Sequence, residues 1–123
     1  MSKAFLILPL EESFLTQSRL FVSGAATQAG LGFEEVEDLK LFVAELMSCL
    51  LNSEVRRGTI RISYEMKGEV FYLLMEIPRR YSCFLDKDIT TNVLLSCLAD
   101  NVEKTDTRRG VLVRIVKHVA SSR

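Results

Sequence analysis

Residues 39–54 read LKLFVAELMSCLLNSE, and the fold turns on how this stretch is read. Val36, Leu39, Val43, Leu46, Met47 and Leu50 recur at three- and four-residue spacing, which marks a helix with a wide apolar face. One carboxylate, Glu45, stands inside that run. Cys49 follows one turn on, so the two side chains are neighbours on the helix surface. The pattern predicts a helix from about Phe33 to Arg56, with Glu34 and Glu35 in its first turn and Arg56 and Arg57 in its last. That charge order suits the helix dipole, and Gly58 ends the run. Glu45 reads either as a working base or as a half-buried acid held by a nearby base or hydrogen-bond donor, because unpaired burial is costly. Cys49 has no basic neighbour in sequence to lower its thiol pKa and reads as core filling.

On the N-terminal side, residues 4–10 predict a first strand. Residues 11–29 predict a helix with Phe14, Phe21, Val22, Ala25, Ala26 and Ala29 inward, opened by Glu11 and Glu12 and closed by Gly30. The sequence GLGFEE that follows has two glycines but neither the lysine nor the preceding strand of a phosphate loop, so it reads as a helix cap. On the C-terminal side, TIRISYEM alternates Ile60, Ile62, Tyr64 and Met66 against Arg61, Ser63 and Glu65, the period of a half-buried strand. The turn KGE leads into VFYLLMEI, giving a hairpin. PRRYSCFLDKD (78–88) reads as loop, and Ile89, Val93, Leu94, Cys97 and Leu98 predict a third helix over about 89–99. NVEKTDT and GVLVRIVKHV form a second hairpin turned at Arg108–Arg109–Gly110, and His118 reads as a surface or strand-end residue. The order β-α-α-β-β-α-β-β predicts an α+β two-layer sandwich. Its open, mixed but mainly antiparallel sheet carries about three helices on one face, within a single domain over 1–123.

Composition narrows the function classes. Of 123 residues, 16 are basic and 16 acidic, which leaves no excess of cations for a sequence-independent nucleic-acid surface. The pairs Arg56–Arg57, Arg79–Arg80 and Arg108–Arg109 fall near element ends and read as solvated charges. AFLILPL is too short for a membrane span and lacks a signal-peptide cleavage pattern. Three dispersed cysteines without a CxxC, and a single histidine, argue against zinc and for a reduced, cytoplasmic protein.

Three fragments in order carry a resemblance: RLFVSGAA (19–26), VEDLKLFVAELMSCL (36–50), and LADNV (98–102) followed by GVLVRIVK (110–117). Together they are similar to the anti-sigma-factor serine kinases of the RsbW and SpoIIAB type, small members of the GHKL group with the Bergerat, histidine-kinase-like ATPase fold. The resemblance spans nearly the whole chain. It implies a base at Glu45, a first-helix partner contact at Arg19, ATP with Mg²⁺ as cofactor, and dimerisation. As partners it implies a sigma factor or a STAS-like anti-anti-sigma protein.

The chain departs from the family's nucleotide site in every part. The Mg²⁺-holding Asn position is Cys49, and a thiol suits a hard cation poorly. Asn52 lies two turns from Glu45, too far along the axis to substitute, and Ser53 stands where the family often has a His or another polar group. The adenine-binding Asp falls near Glu76 or Arg79, beside Pro78 and without its glycines. The lid before the third helix, DITTNVLL, has no glycine either; none occurs between Gly68 and Gly110. These departures imply a degenerate member that does not bind ATP, has no cofactor or metal, and works by binding protein. Arg19, Arg79, Arg80 and Tyr81 are the candidate contacts, since arginine and tyrosine suit interfaces. Two alternatives stay open: an active serine kinase using Glu45, and a structural dimerisation domain.

Overall fold

The computed structural model describes residues 4–51, 58–79 and 97–119. The chain forms a first strand, β1 (Phe5–Pro9), then a 3-10 turn (Glu12–Phe14) leading into helix α1 (Leu15–Gln28). Helix α2 (Phe33–Leu51) follows, then strands β2 (Thr59–Lys67), β3 (Val70–Pro78), β4 (Asn101–Asp106) and β5 (Gly110–His118). The predicted third helix up to residue 96, and the end of α2 beyond Leu51, lie outside the described residues; of its last positions Leu98 is buried as expected, but Cys97 is exposed and not packed inward.

The five strands form one sheet in the order β1-β2-β3-β5-β4. Every neighbouring pair is antiparallel, which corrects the expectation of a mixed sheet. Strand directions give the reason. The connection from β3 to β4 returns the chain in the direction of β3, as a parallel crossover would. β5 then runs back between them and pairs with both, so the two like-directed strands never meet.

Strand periodicity sorts the sheet into two faces. Ile60, Ile62 and Tyr64 of β2, Phe71, Leu73, Met75 and Ile77 of β3, and Val111, Val113 and Ile115 of β5 are buried. They join Leu39, Phe42, Val43, Leu46, Met47 and Leu50 of α2, and Val22, Ala25 and Ala26 of α1, in one core. The alternate positions Arg61, Ser63, Tyr72, Leu74, Glu76, Leu112 and Arg114 are only half-buried and form an open face. Sheet and helices thus make two layers, with one sheet face left to solvent among the described residues.

α1 starts later than the acids at 11 and 12 suggest, because the chain first makes the 3-10 turn and Glu11 offers no side-chain cap. Its end is as read: Gly30 takes φ 95°, the Leu31 N–H reaches the Ala26 carbonyl, and the Gly30 N–H reaches Thr27. These bonds satisfy carbonyls the helix would otherwise leave unpaired. Gly110 is fixed by space: a Cβ there would run into the Ile77 carbonyl oxygen across the β3–β5 ladder. The glycine in GVLVRIVK is therefore a packing requirement of the sheet.

Candidate functional site

α2 places Glu45 and Cys49 differently, although they are one turn apart. Cys49 is 7% exposed and belongs to the core. Glu45 is half-buried, and among the described residues it makes no hydrogen bond or ion pair. The expectation that a base or donor would hold it is not met there. The position that would present an Asn to a metal instead points a thiol into the hydrophobic layer. Among the described residues no group of three or more His, Cys, Asp or Glu side chains converges as a metal site. Asn52 and Ser53 lie outside the described residues.

Glu76, one of the two positions that the resemblance sets nearest an adenine-binding Asp, is on the sheet face away from the helices. It lies on the open face of β3, opposite Arg61 in register and 3.9 Å from the Arg109 guanidinium. Its neighbour Ile77 faces the helices and is buried. Strand alternation therefore puts a full sheet between Glu76 and Glu45. Arg79 is exposed and donates from Nη2 to the Thr107 carbonyl, which ties the end of β3 to the β4–β5 turn. That turn is closed by Thr107 Oγ1, which accepts from the Gly110 N–H at 3.1 Å. Arg80, Tyr81 and the segment aligned with the glycine-rich lid lie outside the described residues.

The α1 surface carries the other candidate contact. Arg19 is exposed, and beside it Leu20 is 66% exposed. Gly24, one turn beyond Leu20 on the same side, has open space where a Cβ would stand. A guanidinium, an exposed leucine and a flat helix face make a low-relief patch with an aliphatic anchor. Ser18 turns inward and donates to the Leu15 carbonyl at 2.6 Å, while Arg19 and Leu20 stay exposed beside it.

Two arrangements were not anticipated from the sequence. Lys117, on the helix-facing side of β5, is 8% exposed. Its Nζ donates to Asp38 Oδ2 at 3.1 Å and to the Leu98 carbonyl at 3.0 Å. One buried ammonium thus joins the first half of α2, the end of β5 and the approach to β4. The signal was a lysine at a core-facing strand position with an aspartate near the start of a core helix, which becomes legible only once β5 is laid under α2. The second arrangement is on the open face, where guanidinium groups lie over aromatic rings: Arg61 over Phe5 at 4.3 Å and Arg114 over Tyr72 at 4.4 Å. Such contacts hold long cationic side chains flat against a surface.

At the far end of β5, Asp100 Oδ2 accepts the His118 backbone N–H at 2.6 Å and lies 2.9 Å from His118 Nδ1. The backbone hydrogen bond is the main cause holding the Asp100 carboxyl below the usual carboxylate range; partial desolvation opposes it, and the His118 ring and Lys117 charge add to the lowering. His118 is exposed at the strand end, as its sequence position suggested.

This architecture is that of an RsbW-containing structure. The chain is similar to the crystal structure of the RsbU and RsbW domains of Rv1364c from Mycobacterium tuberculosis, with a TM-score of 0.75 and 9% sequence identity. The match covers 99% of this chain and 34% of that one, so the chain spans about a third of that protein's length. At this identity the likeness shows the fold alone: an open antiparallel sheet with helices on one face. No protein-family model and no curated protein matches the chain. No helix among the described residues is long and apolar enough to cross a membrane.

Proposed function

We propose that this chain is a degenerate anti-sigma-kinase-like regulatory module that works by protein binding in a bacterial partner-switching or related signalling pathway, without using ATP. The observation that carries the reading is the burial of Cys49 in the core at the position where a kinase of this fold presents its Mg²⁺ ligand. Two further features support it. Glu76 faces away from α2, and no glycine occurs between Gly68 and Gly110 to let a backbone close on phosphates. What remains of a working surface is the α1 patch of Arg19 and Leu20, whose partner is a STAS-like anti-anti-sigma protein or a sigma factor. Arg79, Arg80 and Tyr81 are a secondary contact region in this reading. The mechanism is competitive occupancy: one partner on the α1 face excludes another.

The test is an interaction assay of the purified chain against the sigma factors and STAS-domain proteins of its source organism, with Arg19→Glu in parallel. The reading expects one partner to bind and the charge reversal to weaken it at least about tenfold, a loss of about 1.4 kcal/mol. An unaffected variant removes Arg19 from the interface.

A second reading has one observation in its favour. Glu45 is half-buried and engaged by no hydrogen bond or ion pair among the described residues, so it is free to act as the base of a serine kinase with an altered nucleotide site. Nucleotide binding separates the two.

A further inference from the structure

The open face of the sheet carries a cleft of about 280 Å³. It lies over the end of the β2–β3 ladder, between Ile7 of β1 and Arg109 of the β4–β5 turn, and Thr59, Arg61, Glu76 and Pro78 line it. A second hollow of about 200 Å³ on the same face shares Arg61 and Glu76 with it. These two residues are therefore the centre of the relief on this face. Sites for drug-sized ligands run from about 300 to 1,000 Å³, so the cleft suits something smaller. At about 30 Å³ each, it has the room of about nine waters, the scale of one metabolite with few atoms. It lies across the sheet from α2 and Glu45 and apart from the α1 patch.

The charges in the cleft leave each other unmatched. Arg61 and Glu76 stand directly opposite on neighbouring strands, where opposite charges ordinarily pair across the ladder. Here they do not. Among the described residues Arg61 makes no ion pair or hydrogen bond. Its guanidinium is drawn sideways over the Phe5 ring, 4.3 Å from the ring centre, so its N–H donors are left to the cleft. Glu76 turns instead toward Arg109, at 3.9 Å, which is too long for a hydrogen bond. The Glu76 side chain is 22% exposed and that of Arg109 69%. A half-buried fork of donors and a half-buried carboxylate thus face one cleft, and neither satisfies the other. Ile7 and Pro78 supply its apolar walls.

We propose that this cleft binds a small zwitterion, a free α-amino acid with an aliphatic side chain. Its carboxylate takes the Arg61 fork, in the planar two-point geometry that guanidinium and carboxylate favour, with Arg109 as the second cation. Its ammonium group takes Glu76. Its side chain rests on Ile7 and Pro78. The charge pattern rejects simpler ligands. A plain anion would lie against the Glu76 carboxylate, and a plain cation against two guanidinium groups. Adjacent strands are about 4.8 Å apart, so both ligand charges must come from one compact unit, as they do on the α-carbon of an amino acid. The Phe5 ring holds the Arg61 head in place before the ligand arrives, which lowers the ordering cost of binding. The inference depends neither on the partner assigned to the α1 patch nor on the fate of nucleotide at the other face.

The experiment is a titration of the nitrogen-labelled full chain with leucine, isoleucine, valine and methionine, followed by two-dimensional NMR. At least one should give saturable shifts with a dissociation constant below about 1 mM, concentrated at residues 59–63, 74–78 and 109–112. Two analogues test the two charges: leucinamide lacks the carboxylate, and the keto acid of leucine lacks the ammonium group. Each should bind at least about tenfold more weakly than leucine. Arg61→Gln and Glu76→Gln should each weaken leucine by about tenfold or more. Glu76→Gln should also bind leucine and its keto acid alike, a loss of discrimination that damage to the fold would not produce. Circular dichroism of both variants should match wild type, because the two side chains lie outside the core. Absence of saturable shifts with all four amino acids up to about 10 mM overturns the proposal. So does a keto acid that binds the wild type as well as leucine, leucine binding unchanged in both variants, or shifts centred on α1 or α2.

Discussion

Replacing Lys117 with methionine tests how the helical layer is tied to the sheet. Methionine keeps most of the buried stem, so little apolar packing is lost. Two interactions go. The Leu98 carbonyl loses its donor at 3.0 Å, and a buried acceptor without a partner costs about 1–3 kcal/mol. The Asp38 carboxylate loses its 3.1 Å contact. Its side chain is 40% exposed, so water takes over much of that bond and the loss is discounted to about 0.5 kcal/mol. Relief from burying an ammonium offsets part of the total, leaving a net cost of about 2 kcal/mol. For a urea m-value of about 1.5 kcal/mol/M, the unfolding midpoint falls by about 1.3 M with the slope unchanged. Asp38→Asn should cost only about 0.5 kcal/mol, because the amide oxygen still accepts and the site is wet. The asymmetry is the point: the buried carbonyl, and not the ion pair, gives Lys117 its weight. Urea unfolding followed by circular dichroism measures both variants. A Lys117→Met midpoint within error of wild type refutes the reasoning, and so does an Asp38→Asn cost equal to that of Lys117→Met.

Further outcomes follow from single contacts. Gly110→Ala should destabilise by about 2 kcal/mol or more, because the added methyl meets the Ile77 carbonyl. Gly24→Ala should stabilise by about 0.5–1 kcal/mol, since it lies within α1 with open space at its Cβ; thermal unfolding reads both. Cys49→Asn, which supplies the residue type that the proposed reading expects of a kinase, should cost about 1–3 kcal/mol by placing an amide among apolar neighbours, and calorimetry should find no Mg²⁺-dependent nucleotide binding gained. Asp100 has a lowered pKa, so its contribution to stability is present above the ordinary carboxylate range and lost as pH falls through its folded value. The cost of Asp100→Asn should therefore be visible at neutral pH and vanish in acid, on the low side of the usual carboxylate titration; a cost that grows on acidification contradicts the assignment.

Periodicity carried much of this structure. The stripe through Val36, Leu39, Val43, Leu46, Met47 and Leu50 predicted a helix whose buried face is the one observed, and the alternation of Ile60, Ile62 and Tyr64 predicted the buried side of β2. Pairing was less legible. That β5 inserts between β3 and β4 depends on long-range partners, which a local pattern does not encode. The facing of Glu76 was not legible for a similar reason: a gapped likeness ignores strand parity, and a shift of one residue moves a side chain to the opposite face. Cys49 could be read as core filling because its neighbours in the stripe are apolar. The pairing of Lys117 with Asp38, 79 residues apart in sequence, needs the tertiary arrangement. β1 was visible as the FLIL run; that it is an outer strand is a fact of sheet order.

The central proposal is that this RsbW-like fold works here without nucleotide. It is tested most directly by titrating the full chain with ATP, and separately with ADP, in the presence of Mg²⁺, by isothermal calorimetry with thermal unfolding in parallel. The account predicts no saturable heat and an unmoved unfolding temperature. A nucleotide at a hundred times its dissociation constant would add about 2.7 kcal/mol of stability, a shift that could not be missed. Saturable, Mg²⁺-dependent binding that Glu45→Ala abolishes would contradict the account and establish the kinase reading in its place.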